Sequence, residues 1–324
     1  MIGALRRYGS VLGMVAIVVV FWALKPDTFM TLQNWLNISQ QVSMLAVVAV
    51  TMTVVMVMGD FDLSVGAMAS LAGVVAAVLF VEGWPVGLAL AAALAVGLLG
   101  GLFNGVLVSL VGILPFVATL ATLTLFSGLA FLVSDGRTIF GRDIPEAFSG
   151  FARGGLILWA PEEGRPTRLP NLTMLALAVT AVVWVVLEQT NYGRRLYAIG
   201  GNREAARLAG VRVTALRLSA FAFTGVGAAI AGLMYASRVA SANPVQGDGL
   251  MLTAIAAVFL GMTLTENGQP RVLATLAGVV VMGVLDNGLT QLAVSSYVRQ
   301  VLIGLILIVA VGTSALGRRA VLGR

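Results

Sequence analysis

Asp60 and Asp62, in Gly59-Asp60-Phe61-Asp62-Leu63-Ser64-Val65-Gly66, are two carboxylates set between apolar runs. Asp62 reads as an N-cap, its carboxylate accepting the orphan amide protons of a helix that begins at Leu63. Two settings fit the stretch: a discontinuous helix at membrane depth lining a polar cavity, or a capped turn at the membrane surface. A second group is uncharged. Asn104, Thr119, Thr122, Thr124, Asn243, Gln246, Asn287 and Gln291 lie in or beside apolar runs. Hydroxyls and amides there can glue helices together, and they can also exchange hydrogen bonds with a neutral polyol without holding it too tightly for release. Asp60, Asp62, Ser64, Asn104, Thr119, Thr122, Asn243, Gln246 and Asn287 are therefore the candidate substrate pathway. An ion-coupled carrier more often buries carboxylates or lysines in mid-span; Asp286 is the one acid deep in an apolar run.

The polar stretch from Tyr192 to Val211 is too hydrophilic to span a bilayer, yet it carries helix signals. Asn202 suits an N-cap, Glu204 the positive end of a short helix, and Gly210 its stop. Ala205, Ala206 and Ala209 read as a small-residue face with Leu208 alongside, and arginines surround it. Such a helix fits a groove in a partner protein; the same composition also suits a helix lying on anionic lipid.

Other chemistry is excluded by what is missing. With no Cys and no His there is no disulfide frame, thiolate or imidazole metal site, or His-based proton relay. No mid-span acid pair offers a general base, so an enzyme is disfavoured. Lys25 is the only lysine and is followed by Pro26, so no phosphate-binding loop of the G-x-x-x-x-G-K-[ST] type exists. If ATP drives this chain, another subunit must hydrolyse it. The net charge of +6 comes from arginines scattered at the ends of apolar runs, a pattern of membrane topology rather than of nucleic-acid binding.

The elements that must position these residues are membrane helices. Only 10% of the 324 residues are charged and 59% are hydrophobic, too little charge to cover a soluble domain. The expected fold is an all-α polytopic bundle, one transmembrane domain over 1–324. Its ten spans are placed at 10–24, 42–58, 62–81, 85–111, 115–133, 170–188, 216–236, 250–265, 271–293 and 297–316. The first reads as an uncleaved signal anchor rather than a cleaved signal peptide. Arg6 and Arg7, the arginines of the 189–215 connection, and Arg318, Arg319 and Arg324 fall on one face, which the positive-inside rule makes cytoplasmic for both termini. Shifted by about 183 positions, Gly66, Met68 and Gly100 meet Gly249, Met251 and Gly283, and Leu102, Asn104 and Gly105 meet Leu285, Asn287 and Gly288. Spans three to five and eight to ten run oppositely, so this is an inverted repeat with a path between its halves.

The chain resembles the permease subunits of bacterial ABC monosaccharide importers of the ribose/xylose/arabinose type, over nearly its whole length. The markers are G-D-F-D-L-S-V-G at 59–66, N-G-V-L-V at 104–108, P-F-V-A-T-L-A-T-L at 115–123, Y-A-I-G-G-N-R-E-A-A-R-L-A-G-V at 197–211 and A-S-R-V-A-S-A-N-P at 236–244. The resemblance implies a channel-forming subunit of the bacterial inner membrane that moves a pentose such as arabinose, ribose or xylose by alternating access. Its implied partners are a cytoplasmic ABC ATPase, an extracytoplasmic sugar-binding protein, a second permease chain and membrane lipid. ATP and Mg would sit on the ATPase, with no cofactor on this chain. Asn202, Glu204, Ala205, Ala206, Leu208 and Gly210 fall on the segment that seats in the ATPase. Two departures stand out. Asp60 occupies a position where many members have a small residue, G-D-F-D-L-S looking most like L-arabinose permeases. Thr265-Glu266-Asn267-Gly268-Gln269-Pro270 replaces a Gly-Gly-rich turn. The competing reading is a stand-alone secondary carrier for a small polar solute.

Overall fold

The apolar runs fold as helices that stop at polar, glycine and proline interruptions. The computed structural model describes residues 2–160, 166–265 and 267–302, together with 304, 305 and 308. In chain order the helices are α1 (Ile2–Leu24), α2 (Pro26–Phe29), α3 (Leu32–Met56), α4 (Val65–Val81), α5 (Val86–Val106), α6 (Pro115–Ser134), α7 (Glu146–Arg153), α8 (Asn171–Trp184), α9 (Asn191–Gly201), α10 (Arg203–Leu208), α11 (Val213–Val239), α12 (Leu250–Met262) and α13 (Val272–Gln291). Single π-turns extend α5 to Val111 and α8 to Gln189. The chain is helical again over 296–302; much of the expected span 297–316 lies outside the described residues, as do Glu162, Glu163, Glu266, Arg318, Arg319 and Arg324.

Six helices among the described residues are long and apolar enough to cross a membrane: 32–56, 86–111, 115–134, 171–189, 213–239 and 272–291. Three shorter apolar stretches, 12–24, 65–81 and 250–262, accompany them. The last two correct the expected boundaries. At 1.5 Å per residue the 17 residues of α4 and 13 of α12 rise about 25 and 20 Å, short of the roughly 30 Å hydrocarbon core. Each is preceded by non-helical chain, 57–64 before α4 and 240–249 before α12.

α3 is the hub. Its residues Val42–Met56 are buried almost throughout, which suits a run apolar on every face, and it packs on α8, α11, α12 and α13. α11 packs on α5, α4 and α3, and its fit to α5 rests on a stripe of glycines four residues apart. A Cβ at Gly97 would meet the backbone of Gly225, one at Gly101 that of Phe221 and Ala222, and one at Gly105 that of Leu218. Backbone contact of this kind is how small-residue stripes hold membrane helices together without a hydrophobic driving force.

The bundle is not wholly α-helical. The end that carries the 135–170 connection has two small antiparallel pairs: β1 (Ile139–Phe140) with β4 (Ser241–Ala242), and β2 (Gly155–Trp159) with β3 (Thr167–Pro170). α7 lies there too, its Phe148 packed on Phe80 of α4 with ring centroids 5.1 Å apart. The opposite end carries α9 and α10.

Candidate functional site

The segment from Glu188 to Arg212 is built by local caps and then pinned to the bundle. The Thr190 hydroxyl caps α9. Asn202 ends α9 and starts α10, its Oδ1 accepting the Ala205 amide at 3.0 Å. α10 closes in a Schellman turn: Gly210 N–H donates to Arg207 O and Val211 N–H to Ala206 O, both at 3.0 Å, with Gly210 at φ +81° where a side chain would be strained. Asn202 and Gly210 thus sit where the sequence signals put them. Glu204 lies in the first turn and pairs with Arg207 at 2.7 Å, with both side chains mostly exposed, so the pair itself adds little stability.

The expected alanine face needs correction. Ala206 is buried against the bundle core, while Ala205 and Ala209 point outward. Leu208 is 80% exposed. The surface α10 offers is therefore Glu204, Ala205, Leu208 and Ala209, with Ala206 as its anchor.

Three contacts that the sequence did not signal hold this segment down. The Tyr197 hydroxyl donates to Pro270 O at 2.9 Å. Burial first, then the Glu188 charge, pushes this phenol up to about 12, against an opposing pull from Arg271, so it remains a donor at all ordinary pH. Glu188 Oε1 accepts the Val272 amide at 2.8 Å, serving the start of α13 from 84 residues away. Gly200 lies flat on the Val57 carbonyl, leaving no room for a Cβ.

Asp60 is an ion-pair centre. Its carboxylate is 2% exposed. Arg217 Nε reaches Oδ2 at 2.7 Å and its Nη2 reaches Oδ1 at 3.0 Å, while Arg203 Nη2 reaches Oδ1 at 3.1 Å. Arg217 is itself buried and gives its remaining nitrogen to Val108 O. Asp62 is not an N-cap. α4 starts at Val65, and Asp62 Oδ1 instead accepts the Ser64 amide at 2.9 Å and the Ser64 hydroxyl at 2.6 Å, a turn closed two residues before the helix.

From that turn a buried network crosses three helices. Asn104 Nδ2 donates to Ser64 Oγ at 2.8 Å, and Thr122 Oγ1 donates to Asn104 Oδ1 at 2.6 Å. Thr119 donates back to Pro115 O of its own helix. All these side chains are buried. Asp62, Ser64, Asn104 and Thr122 are brought together as a clamp between α4, α5 and α6.

Of the expected pathway residues, Gln246 alone lines the polar cavity. That cavity, about 660 Å³, lies between α3, α11, α12, α13 and the helix from 296, and its polar side chains are Gln41, Tyr235, Gln246, Asp248, Thr253, Asp286 and Gln300. Asp286 is paired with Arg299 at 2.7 Å, which offsets its charge. Asn243 caps the turn ahead of Gln246, accepting the Val245 amide at 3.0 Å, and Asn287 bonds to Gln291. The 243–249 strand of chain runs along α4, where Ser70 Oγ accepts the Gly247 amide at 2.8 Å and Gly66 and Gly247 touch backbone to backbone. A second cavity, about 560 Å³, is lined by Leu98, Val179, Phe223 and Ile230 and offers almost nothing polar. Of these two, the first suits a hydroxyl-rich solute.

Residues 34–311 match the family described as "Branched-chain amino acid transport system / permease component". The chain is 38% identical to the ribose import permease protein of Bacillus subtilis, over 95% of this chain and 92% of the relative. It is 30% identical to the D-allose transport system permease protein of Escherichia coli, over 96% and 92%. It is also 30% identical to the xylose transport system permease protein of Escherichia coli, over 97% and 93%. No solved structure matches.

Proposed function

The chain belongs to the permease family of ABC sugar importers, and from that premise we propose that it forms the membrane path for a pentose, with the polar cavity around Gln246 as its site of passage. It is a multi-pass membrane subunit and not itself an enzyme; the ATP and Mg belong on a separate ATPase. Ribose, xylose and allose, the sugars named for its relatives, are neutral polyols, and a wall of three glutamines, a tyrosine, a threonine and two aspartates offers them hydrogen-bond partners.

The observation that carries the coupling assignment is α10. A six-residue helix capped at both ends, with Leu208 80% exposed among arginines, is a surface prepared for a protein groove. We place it in the cytoplasm on a bound ATPase, with both termini on the same side and the 135–170 connection facing a sugar-binding protein. Arginine-rich connections stay inside, which supports that orientation.

Two features support an arrangement of two halves around a path. The short helices α4 and α12 are each preceded by a break, at places related by the 183-residue shift, and the first turn of α4 meets the break before α12 at Gly66 and Gly247. Interrupted helices in matching positions of two repeats mark substrate paths in transporters. The cavity is open, with Gln41, Asp248 and Asp286 exposed in it. Polar groups facing lipid are costly, and a second copy of this chain laid over that face removes the cost. Leu99, Leu110, Leu120 and Leu132, exposed on α5, its π-turn and α6, suit lipid.

Glu204→Arg tests the assignment. The variant should insert and accumulate normally but lose ATP-dependent uptake of labelled pentose. Uptake equal to that of the unmodified chain removes the docking role of α10.

A further inference from the structure

We propose that Asp60 is the positioning residue through which the coupling segment moves the break before α4, an inference that rests on the importer reading. Three stretches remote in sequence converge on its carboxylate: the 57–64 connection that carries it, Arg203 at the start of α10, and Arg217 near the start of α11. The two arginines differ in freedom. Arg217 is buried on a 27-residue helix packed against α3, α4 and α5, so it is a fixed point. Arg203 is 47% exposed on a helix of six residues, so it moves with whatever α10 is bound to. A carboxylate held by two guanidinium groups can release one and stay compensated by the other. The 57–64 connection therefore has two supported arrangements, one tied to α10 and one tied to α11 alone.

Short contacts carry either arrangement on to the cavity. Gly200 rests on the Val57 carbonyl, so the coupling segment grips the same connection a second time. Two residues beyond Asp60, the Asp62–Ser64 turn leads directly into α4. The first turns of α4 touch the 243–249 break at Gly66 and through Ser70, and Gln246 of that break lines the cavity. A shift of α10 at one end of the bundle thus reaches the cavity wall through contiguous packed groups.

The test uses the permease reconstituted in liposomes with its ATPase and its sugar-binding protein, measuring ATP hydrolysed and labelled pentose taken up in the same vesicles. Arg203→Ala should co-purify with the ATPase and hydrolyse ATP within about twofold of the unmodified complex, while moving roughly tenfold less sugar per ATP, the size expected for loss of one coupling contact. Arg203→Lys should recover most of that ratio. Asp60→Asn should uncouple similarly, and adding Arg203→Ala to it should cost nothing more, because both remove the same link. Hydrolysis and uptake falling in proportion, an unchanged ratio, or two losses that multiply would each overturn the proposal. The half-exposed Arg203 carries the test by itself if the Asp60 variant does not fold. An unmodified complex with no ATP-dependent uptake fails the importer reading instead.

Discussion

Arg217→Leu is expected to destabilise the fold by about 3–5 kcal/mol, the usual cost of removing one partner from a buried ion pair. The loss follows from what stays behind. Asp60 is 2% exposed and would keep only Arg203, whose half-exposed guanidinium holds it through a single contact at 3.1 Å. The paired change separates charge from shape. Asp60→Leu with Arg217→Leu removes both buried members of the pair, and the double variant should recover most of the single variant's loss. Thermal unfolding in detergent reads both. A single variant within about 1 kcal/mol of the unmodified protein, in the range of an exposed pair, would mean that Asp60 is solvated and that the ion-pair centre is misplaced.

Gly101→Leu should cost about 3 kcal/mol, the upper end of ordinary overpacking, because what it meets is backbone rather than a movable side chain. A Cβ there falls on the Phe221 carbonyl and 2.9 Å from Ala222 Cα, so α5 and α11 would have to part. Both helices would lose contacts at Gly97 and Gly105 as well, since the three glycines form one stripe. Gly87→Leu, on the same helix with nothing within 4 Å of its Cβ position, is the control and should stay within about 0.5 kcal/mol. Equal behaviour of the two variants would show that the close approach of α5 to α11 does not exist in the membrane.

How far these features were legible in the sequence depended on the range of the interaction that makes them. Hydropathy located the long helices because a bilayer imposes one length scale on them. Asn202 and Gly210 were legible because a cap acts within three or four residues. Asp62 misled for a local reason. An aspartate before a helix can bond the third amide on or the second, and here it bonds Ser64, so α4 begins later than an N-cap at Asp62 implies. The face of α10 was misread at Ala206 because six residues are too few turns for periodicity to define an inside. Arg217 carries no sign of an ion-pair role in the sequence, where it is one more arginine beside a span, since its partner lies 157 residues away. Glu188 gives no sequence signal for the same reason, serving an amide 84 residues distant. The pathway residues divide similarly: Asn104 and Thr122 were recognisable as intramembrane polar groups, but only the fold shows that they satisfy each other and that the cavity falls to Gln246, Asp248 and Tyr235.

The most direct measurement is uptake of labelled D-ribose, D-xylose and L-arabinose into liposomes holding the purified permease, with and without its ATPase and sugar-binding protein. An ABC importer permease accumulates sugar only when the ATPase, the binding protein and ATP are all present, and the permease alone passes none against a gradient. Accumulation driven by an imposed proton or sodium gradient in vesicles that hold this chain alone would contradict the account.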